Sequence, residues 1–464
     1  MKIFPPQITL LVAGLWLVAA NAPAAEFTIL HDFSALTSFP GTNADGSGPE
    51  ANLVASGGTL YGTTADGGPA EGGSVFAITT GGAFTPLFGF DYESFTNGTG
   101  PAAAMAVNSG ILYGTTRAGG TNGLGTIFSL NPSDHAFIKL HDFGLQLSEY
   151  PPTQLNTNSG GAFPETDLVF SSNALFGATE QGGTGGNGTL FKINTDGSGF
   201  TVLHNFTNAD GGFPSIHMVV IGTNLYGTTE FGGVDVGGVG GGTIFRISTS
   251  GSGFTNLYDF GDAAYQPLAG LVMSGNVLYG TTSAGTAGLG GAPYGSIFKI
   301  NPDGTGFTNF YIFNPELNQT APGGALAING NTIYSTDSYG GAYGGAVYQI
   351  QTDGSGYTDL PSNTDPSVTA NPATVTVGAD GNIYGTSYFG GANNSGFVYG
   401  IVPTAASAAL NIQLDGRSVI LSWAAPSLSL YAAPTITSPF VKINNATSPY
   451  TNVISGAQQY FLIK

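Results

Sequence analysis

At seven places in this 464-residue chain a Pro is followed, twelve residues later, by an aromatic: Pro49/Tyr61, Pro101/Tyr113, Pro164/Phe176, Pro214/Tyr226, Pro267/Tyr279, Pro322/Tyr334 and Pro372/Tyr384. Each aromatic sits in a Leu-Tyr-Gly-Thr-Thr-like string, and successive aromatics are 50 to 63 residues apart. Repetition at such a period restricts the chain to an array of one supersecondary unit that cannot bury its apolar face alone.

The order of signals inside a unit is constant. In the first, residues 51–56 and 59–64 are short runs of β type separated by Gly57 and Gly58, the mark of a tight hairpin. A loop with Gly67 and Gly68 leads to the apolar run 74–78, then a Gly-rich turn and a second run from Phe84 to Phe90. Later units place Asp196-Gly-Ser-Gly199, Asp303-Gly-Thr-Gly306 and Asp353-Gly-Ser-Gly356 at that turn, where Asp starts the turn and Gly takes the positive-φ positions. The pattern predicts four antiparallel strands, a to d, with no helix between them. Seven such units predict an all-β chain folded as a seven-bladed β-propeller. A Gly six residues after every aromatic (Gly67, Gly119, Gly182, Gly232, Gly285, Gly340 and Gly390) predicts a backbone geometry that a Cβ would block.

The ends of the array bear on closure. The d-strand pattern Phe-Thr-x-Leu-x-x-Phe occurs first at Phe27–Phe33, ahead of any a-strand, while the seventh unit stops at Val402 without one. The orphan strand fits the vacancy, so Phe27–Phe33 is expected to complete blade seven and to hide edges that would otherwise template aggregation.

Composition bounds the address and the partners. Lys2, the apolar run Ile8–Ala20 and the small-x-small string Ala22-Pro23-Ala24 predict an export signal over residues 1–24. No later apolar stretch is long enough to span a membrane. The chain has no Cys, which excludes disulfides, thiolate metal sites and Cys nucleophiles. Asp and Glu outnumber Lys and Arg by 28 to 9, so nucleic acid would be repelled and its basic patch is missing. After residue 403 a small-residue linker leads to alternating runs at 411–414, 417–423 and 459–463, which predict a small C-terminal β-sandwich-like module over 404–464.

The wording of the repeat, Tyr-Gly-Thr-Thr-x-x-Gly-Gly followed by Gly-Thr-Ile-Phe-x-Ile, Asp-Gly-x-Gly-Phe-Thr and Leu-His-x-Phe, resembles the Gloeo/Verruco (GloVer) tandem repeat. The likeness is close at 223–231 and 241–260 and looser in the last two copies, where Ser335, Asp337 and Pro361 depart from it. It implies an exported bacterial protein, and it brings no activity from which catalytic residues could be carried over.

Function should reside where otherwise equal units differ. The position four residues after the aromatic holds Ala65, Arg117, Glu180, Glu230, Ser283, Ser338 and Tyr388, so three consecutive blades carry Arg, Glu and Glu in a chain with only 8% charged residues. Arg117, Glu180 and Glu230 are therefore candidate ligand-binding residues on the loop face, with Glu180 and Glu230 the candidate acid and base if the protein is an enzyme. Tyr339, Tyr388 and Phe389 are candidate stacking platforms. The bland alternative is a set of solvated loop residues. His31, His141 and His204 share a d-strand slot with Phe88, Tyr258 and Tyr311, which reads as ring packing; His135 and His217 fit no pattern. Recurring Asp turns offer no calcium-ligand spacing, and the Gly-Gly loops lack the Lys and helix of a phosphate cradle. No metal or cofactor is expected.

These readings favour an exported, monomeric scaffold, secreted or held in the periplasm or at the surface of a bacterium, that binds a neutral glycan or another surface protein. A hydrolase or lyase acting on polysaccharide and a purely structural envelope component are the alternatives, and whether any catalysis occurs stays open.

Overall fold

The twelve-residue spacing is a strand register. The residue five places after the Pro lies opposite the aromatic across a two-residue turn in six repeats: Val54↔Tyr61, Ala106↔Tyr113, Val169↔Phe176, Val219↔Tyr226, Val272↔Tyr279 and Ala327↔Tyr334. In the third repeat the turn residues Ser172 and Asn173 have φ of 47° and 66°, as a type I′ turn requires. In the seventh the pairing closes at Val377↔Ile383 over a five-residue turn, and Thr376 lies opposite Tyr384.

The computed structural model describes residues 25–37, 41–144, 158–215, 217–233, 240–261, 266–283, 294–314, 322–337, 345–360, 372–403, 411–415, 418–422, 430–433, 441–443, 450–453 and 460–463. The expected export signal, Gly285, Gly340, Ser338, Tyr339 and Trp423 lie outside the described residues.

Each repeat forms one antiparallel sheet, and the described residues contain no helix. After β1 (Glu26–Asp32), the first blade is β2 (Val54–Ser56), β3 (Thr59–Thr64), β4 (Glu71–Thr79) and β5 (Phe84–Asp91), in that order across the sheet. The all-β, seven-bladed propeller expected from the repeats is what the chain forms. The seventh sheet contains three strands of its own repeat, Pro372–Val377, Ile383–Ser387 and Phe397–Val402, and β1 lies beside the last of them. The Phe33 amide donates to Gly396 O at 3.1 Å, matching Phe143 to Gly125, Phe206 to Gly188 and Phe260 to Gly242 in complete blades.

The fixed Pro is explained by the joint between blades. Pro49, Pro101, Pro164, Pro214, Pro267 and Pro322 each pack their ring against a Gly of the preceding blade: a Cβ built on Gly125 would lie 2.6 Å from Pro164 Cδ, one on Gly188 2.8 Å from Pro214 Cδ, and one on Gly396 2.5 Å from Pro49 Cδ. The residue before the Pro adds a backbone bond across the same joint: Gly100 N to Gly72 O, Phe163 N to Leu124 O, Phe213 N to Asn187 O and Gly48 N to Ser395 O, all at 3.0 Å. Gly188→Ala should therefore destabilise the protein by roughly 2–5 kcal/mol, combining overpacking with a side chain forced into the left-handed region. Its φ is 95° and its Cβ would also meet Thr179 O at 2.3 Å. A denaturant midpoint equal to that of the parent protein would contradict this account of the joint. The Gly six residues after the aromatic behaves as expected at Gly119 and Gly182, where φ is 77° and 83° and a Cβ would come within 2.7 Å of a neighbouring Cα.

Apolar side chains are buried between adjacent blades. One cluster joins Tyr113, Ile127 and Phe143 of blade two to Leu175, Phe191 and Ile193 of blade three; another joins Phe33 and Val398 to Leu53, Leu60 and Phe76 of blade one. The d-strand ring slot lies at these boundaries. His31 stacks on Phe84 at 3.7 Å between centroids, Phe88 on Phe137 at 4.1 Å, His141 on Phe200 and His204 on Phe254 at 3.8 Å, and Tyr258 on Phe307 at 3.6 Å. Parallel stacking of a blade's last strand on its neighbour requires a flat ring, and imidazole, phenyl and phenol all supply one.

Phe27–Val402 forms one compact unit, and Pro403–Lys464 belongs to a second. The second contains two three-stranded antiparallel sheets, Asn411–Asp415, Ser418–Ser422 and Tyr450–Val453 in one and Val441–Lys442, Leu430–Ala433 and Tyr460–Ile463 in the other. Among the described residues no helix is long and apolar enough to cross a membrane.

Candidate functional site at the channel mouth

The position four residues after the aromatic is tied to the start of the inner strand. Its amide donates to the carbonyl of the residue before the Pro: Ala65 N to Gly48 O (3.1 Å), Arg117 N to Gly100 O (2.9 Å), Glu180 N to Phe163 O (3.0 Å) and Ser283 N to Gln266 O (2.8 Å). In blade four the pairs Gly212↔Phe231 and Pro214↔Thr229 hold Glu230 in the same way. The variable residue thus stands beside the residue that follows the Pro, and that position varies too: Glu50, Ala102, Glu165, Ser215, Leu268, Gly323 and Ala373.

Together these positions assemble a charged mouth. Arg117 of blade two forms an ion pair with Glu165 of blade three. Burial pushes the Glu165 carboxyl up to about 7, and the Glu180 charge adds to it, while Arg117 pulls the other way. Glu50 is also pushed up to about 7, first by burial, with Arg117 opposing and Asp66 reinforcing the shift. Glu230 is raised by burial and then by the charge of Glu180. The Tyr388 phenol is raised by burial, then by Asp66 and Glu50. Blades one, two, three, four and seven therefore share one electrostatic neighbourhood.

Three candidate residues from the sequence, Arg117, Glu180 and Glu230, fall in this neighbourhood. The partner that shares a hydrogen bond with Glu180 is Glu165, a residue the repeat pattern alone does not single out, whereas Glu230 feels the Glu180 charge. Tyr388 borders the cavity at the mouth, with Phe389 edge-on to it at 4.4 Å and 49% exposed. Tyr339 is outside the described residues. His217, outside the ring-packing slot of the other histidines, borders both cavities: its Nδ1 is paired with the Asp167 carboxylate and its Nε2 with the Asn52 amide. Asp167 also accepts the Ala104 amide at 2.6 Å. Asn52, Ala104, Asp167, His217, Gly270, Ala325 and Val375 all occupy the third place after the Pro. Differences among the copies at the first and third places after the Pro are the signal in the sequence that marks Glu50, Glu165 and the Asn52–Asp167–His217 group. Among the described residues no cluster of His, Asp and Glu is arranged to hold a metal ion.

The Gloeobacter/Verrucomicrobia repeat model matches residues 24–164 and 152–344, more than half of the chain. The chain belongs to this family. The Gloeobacter/Verrucomicrobia repeat match stops at 344, short of the seventh copy, whose strands nevertheless follow the same order. No curated protein matches the chain. Among solved structures, an oligogalacturonate lyase in complex with manganese is similar at 11% identity and a TM-score of 0.50, over 83% of this chain and 99% of that one. The extracellular domain of a protein from B. thetaiotaomicron described as a one component system has 11% identity and a TM-score of 0.47, over 84% of this chain. This chain spans only 44% of its length. The GH74 xyloglucanase of Xanthomonas campestris has 12% identity and a TM-score of 0.48, over 86% of this chain and 59% of that one. At 11% identity the likeness of this Gloeobacter/Verrucomicrobia repeat protein to the lyase shows the fold alone.

Proposed function

We propose that this protein is an exported binding scaffold whose channel mouth takes a neutral, hydroxyl-rich glycan segment. The observation that supports the reading is the mutual electrostatic influence of Glu50, Glu165, Glu180, Glu230, Arg117 and Tyr388, drawn from five blades, with Glu50 and Tyr388 lining one cavity. With Glu50 and Glu165 pushed up to about 7, the mouth at neutral pH holds carboxyl donors and carboxylate acceptors together. A sugar hydroxyl both donates and accepts, so it suits such a rim. An anionic ligand would meet several acids and one Arg. Tyr388 and Phe389 offer rings against which a pyranose face can stack.

Isothermal titration of the purified full chain against a panel of neutral oligosaccharides tests the reading. The pair Glu180→Gln and Glu230→Gln should weaken binding by roughly tenfold or more, since a hydrogen bond to a charged group contributes ~1.5–3 kcal/mol. Equal affinity in the double variant, or no binding by the parent chain, would sink it. A protein partner on the same face would instead appear as binding that no oligosaccharide displaces.

A second reading has its own support. Glu165 sits against Glu180 and is pushed up to about 7, which suits it to an acid role beside a second carboxyl. If the mouth cleaves polysaccharide, reducing ends will be released and Glu165→Gln and Glu180→Gln will each abolish the release.

A further inference from the structure

Further along the inner strands than the charged rim lies a cavity of about 330 Å³, lined by Asn52, Val54, Met105, Asp167, His217 and Val375 among others. A second cavity, of about 280 Å³, shares Asn52, Asp167 and His217 with it and adds Glu50 and Tyr388 of the mouth. The two spaces meet at those three side chains. Each comes from the same place in its repeat, three residues after the Pro, where blades two, five, six and seven carry Ala104, Gly270, Ala325 and Val375. Four blades therefore do without a polar group at this level, and the polar side chains of the other three are not a requirement of the repeat.

Their arrangement is directional. The Asp167 side chain is only 7% exposed and is spent on the Ala104 amide and His217 Nδ1. Accepting from Nδ1–H fixes the imidazole tautomer and leaves the Nε2 lone pair free to accept from Asn52 Nδ2. That bond turns Asn52 Oδ1 away, and this buried oxygen has no hydrogen-bond partner. A buried acceptor left unpaired keeps its full desolvation penalty and calls for an explanation. Blade five makes room for the group: a Cβ on Gly270 would fall 2.4 Å from His217 O and 2.6 Å from His217 Cβ.

We infer that the axial cavity is a subsite for a single neutral sugar unit, with Asn52 Oδ1, held in place by the bond from its amide to His217 Nε2, accepting a hydrogen bond from a sugar hydroxyl. The volume lies at the lower end of the ~300–1,000 Å³ usual for small-molecule sites, which suits one ring and excludes a chain. Leu53, Val54, Met105 and Val375 supply the apolar walls that a pyranose C–H face requires. The inference deepens the glycan reading of the mouth and rests on it: the mouth would hold the chain and the axial cavity its terminal unit.

The test is a titration of the full chain, labelled with 15N-histidine, with glucose, galactose, mannose and N-acetylglucosamine in turn, reading the His217 ring nitrogens by long-range 1H–15N spectra. His217→Gln assigns the signal by its loss. At least one sugar should shift Nε2 saturably, and Asn52→Ala, which installs the residue blades two and six already carry here, should weaken that binding at least tenfold. Absence of a saturable His217 shift with all four sugars, or equal affinity in Asn52→Ala, would overturn the inference. The two readings fail separately. Oligosaccharide binding lost in Glu180→Gln/Glu230→Gln without any His217 shift leaves the mouth and removes the subsite. A His217 shift in a protein that binds no oligosaccharide does the reverse.

Discussion

A chain lacking Phe27–Phe33 will unfold at a far lower temperature than the parent and will associate through its exposed edges. The segment supplies more than one strand pairing. Phe33 is fully buried and meets Phe76 at 5.5 Å and Phe84 at 5.8 Å, both in blade one, while Phe27 stacks on Tyr399 of blade seven at 5.4 Å. Asp32 accepts the Ala392 amide at 2.9 Å, and Asn393 Nδ2 donates to Phe33 O at 3.0 Å. The single change Phe33→Ala should cost ~3–5 kcal/mol, the range for a buried Phe, and the deletion more. Measured against a typical total stability of ~5–15 kcal/mol, that removes much of what holds the ring. Differential scanning calorimetry of the parent, the point variant and the deletion gives the ranking. A synthetic peptide spanning Phe27–Phe33 should restore part of the loss in trans, because the vacated edge remains a template for a strand. A deletion that melts with the parent would show that β1 contributes nothing to the ring.

Stability should also fall as pH rises from about 4.5 to about 7, and Glu50→Gln should flatten that fall. Glu50 and Glu165 have an ordinary value of 4.5 and are each pushed up to about 7 in the folded chain. Between those values the folded protein binds more protons than the unfolded one. Their contribution is fully present below 4.5, declines through the window, and is gone above about 7. A tenfold change in proton affinity corresponds to ~1.4 kcal/mol, and solvent at the open mouth reduces the effect to an expected ~1–2 kcal/mol for Glu50. Glu50→Gln should therefore match the parent at pH 4 and exceed it by that amount at pH 8. Asp45 and Asp210 act in the other direction at lower pH. Burial would raise them, but hydrogen bonds from His31 with Ser34, and from His204 with Thr207, outweigh it and lower them. The stability they contribute is lost only as pH drops below the usual carboxylate range. Urea midpoints across pH 3–9 that are parallel for parent and Glu50→Gln would refute the assignment.

The architecture was legible because it is made of local rules repeated. The Pro–aromatic spacing encodes a hairpin register, the Asp-Gly turns encode the c–d connection, and seven copies leave few ways to bury their faces. The rim was legible only in part. Arg117, Glu180 and Glu230 stood out because charge is scarce, and the amide four residues after the aromatic is bonded to the carbonyl before the Pro. Glu50 and Glu165 were hidden because each looked like a residue next to a strand, and only the bond from the rim amide to the carbonyl before the Pro brings the two positions together. His217 was harder still. Its partners Asn52 and Asp167 are 165 and 50 residues away, and a link between blades one, three and four has no local trace.

Three joints between successive blades, at Pro101, Pro164 and Pro214, use the Pro ring, a facing Gly and one backbone bond, and the seam from blade seven to blade one at Pro49 uses the same three parts. None of them involves the side chains that line the axis. What fastens the wheel and what faces its hub can thus change independently. Descendants of one ancestral copy could exchange hub residues blade by blade, acquiring new recognition while the mechanical frame stayed as it was.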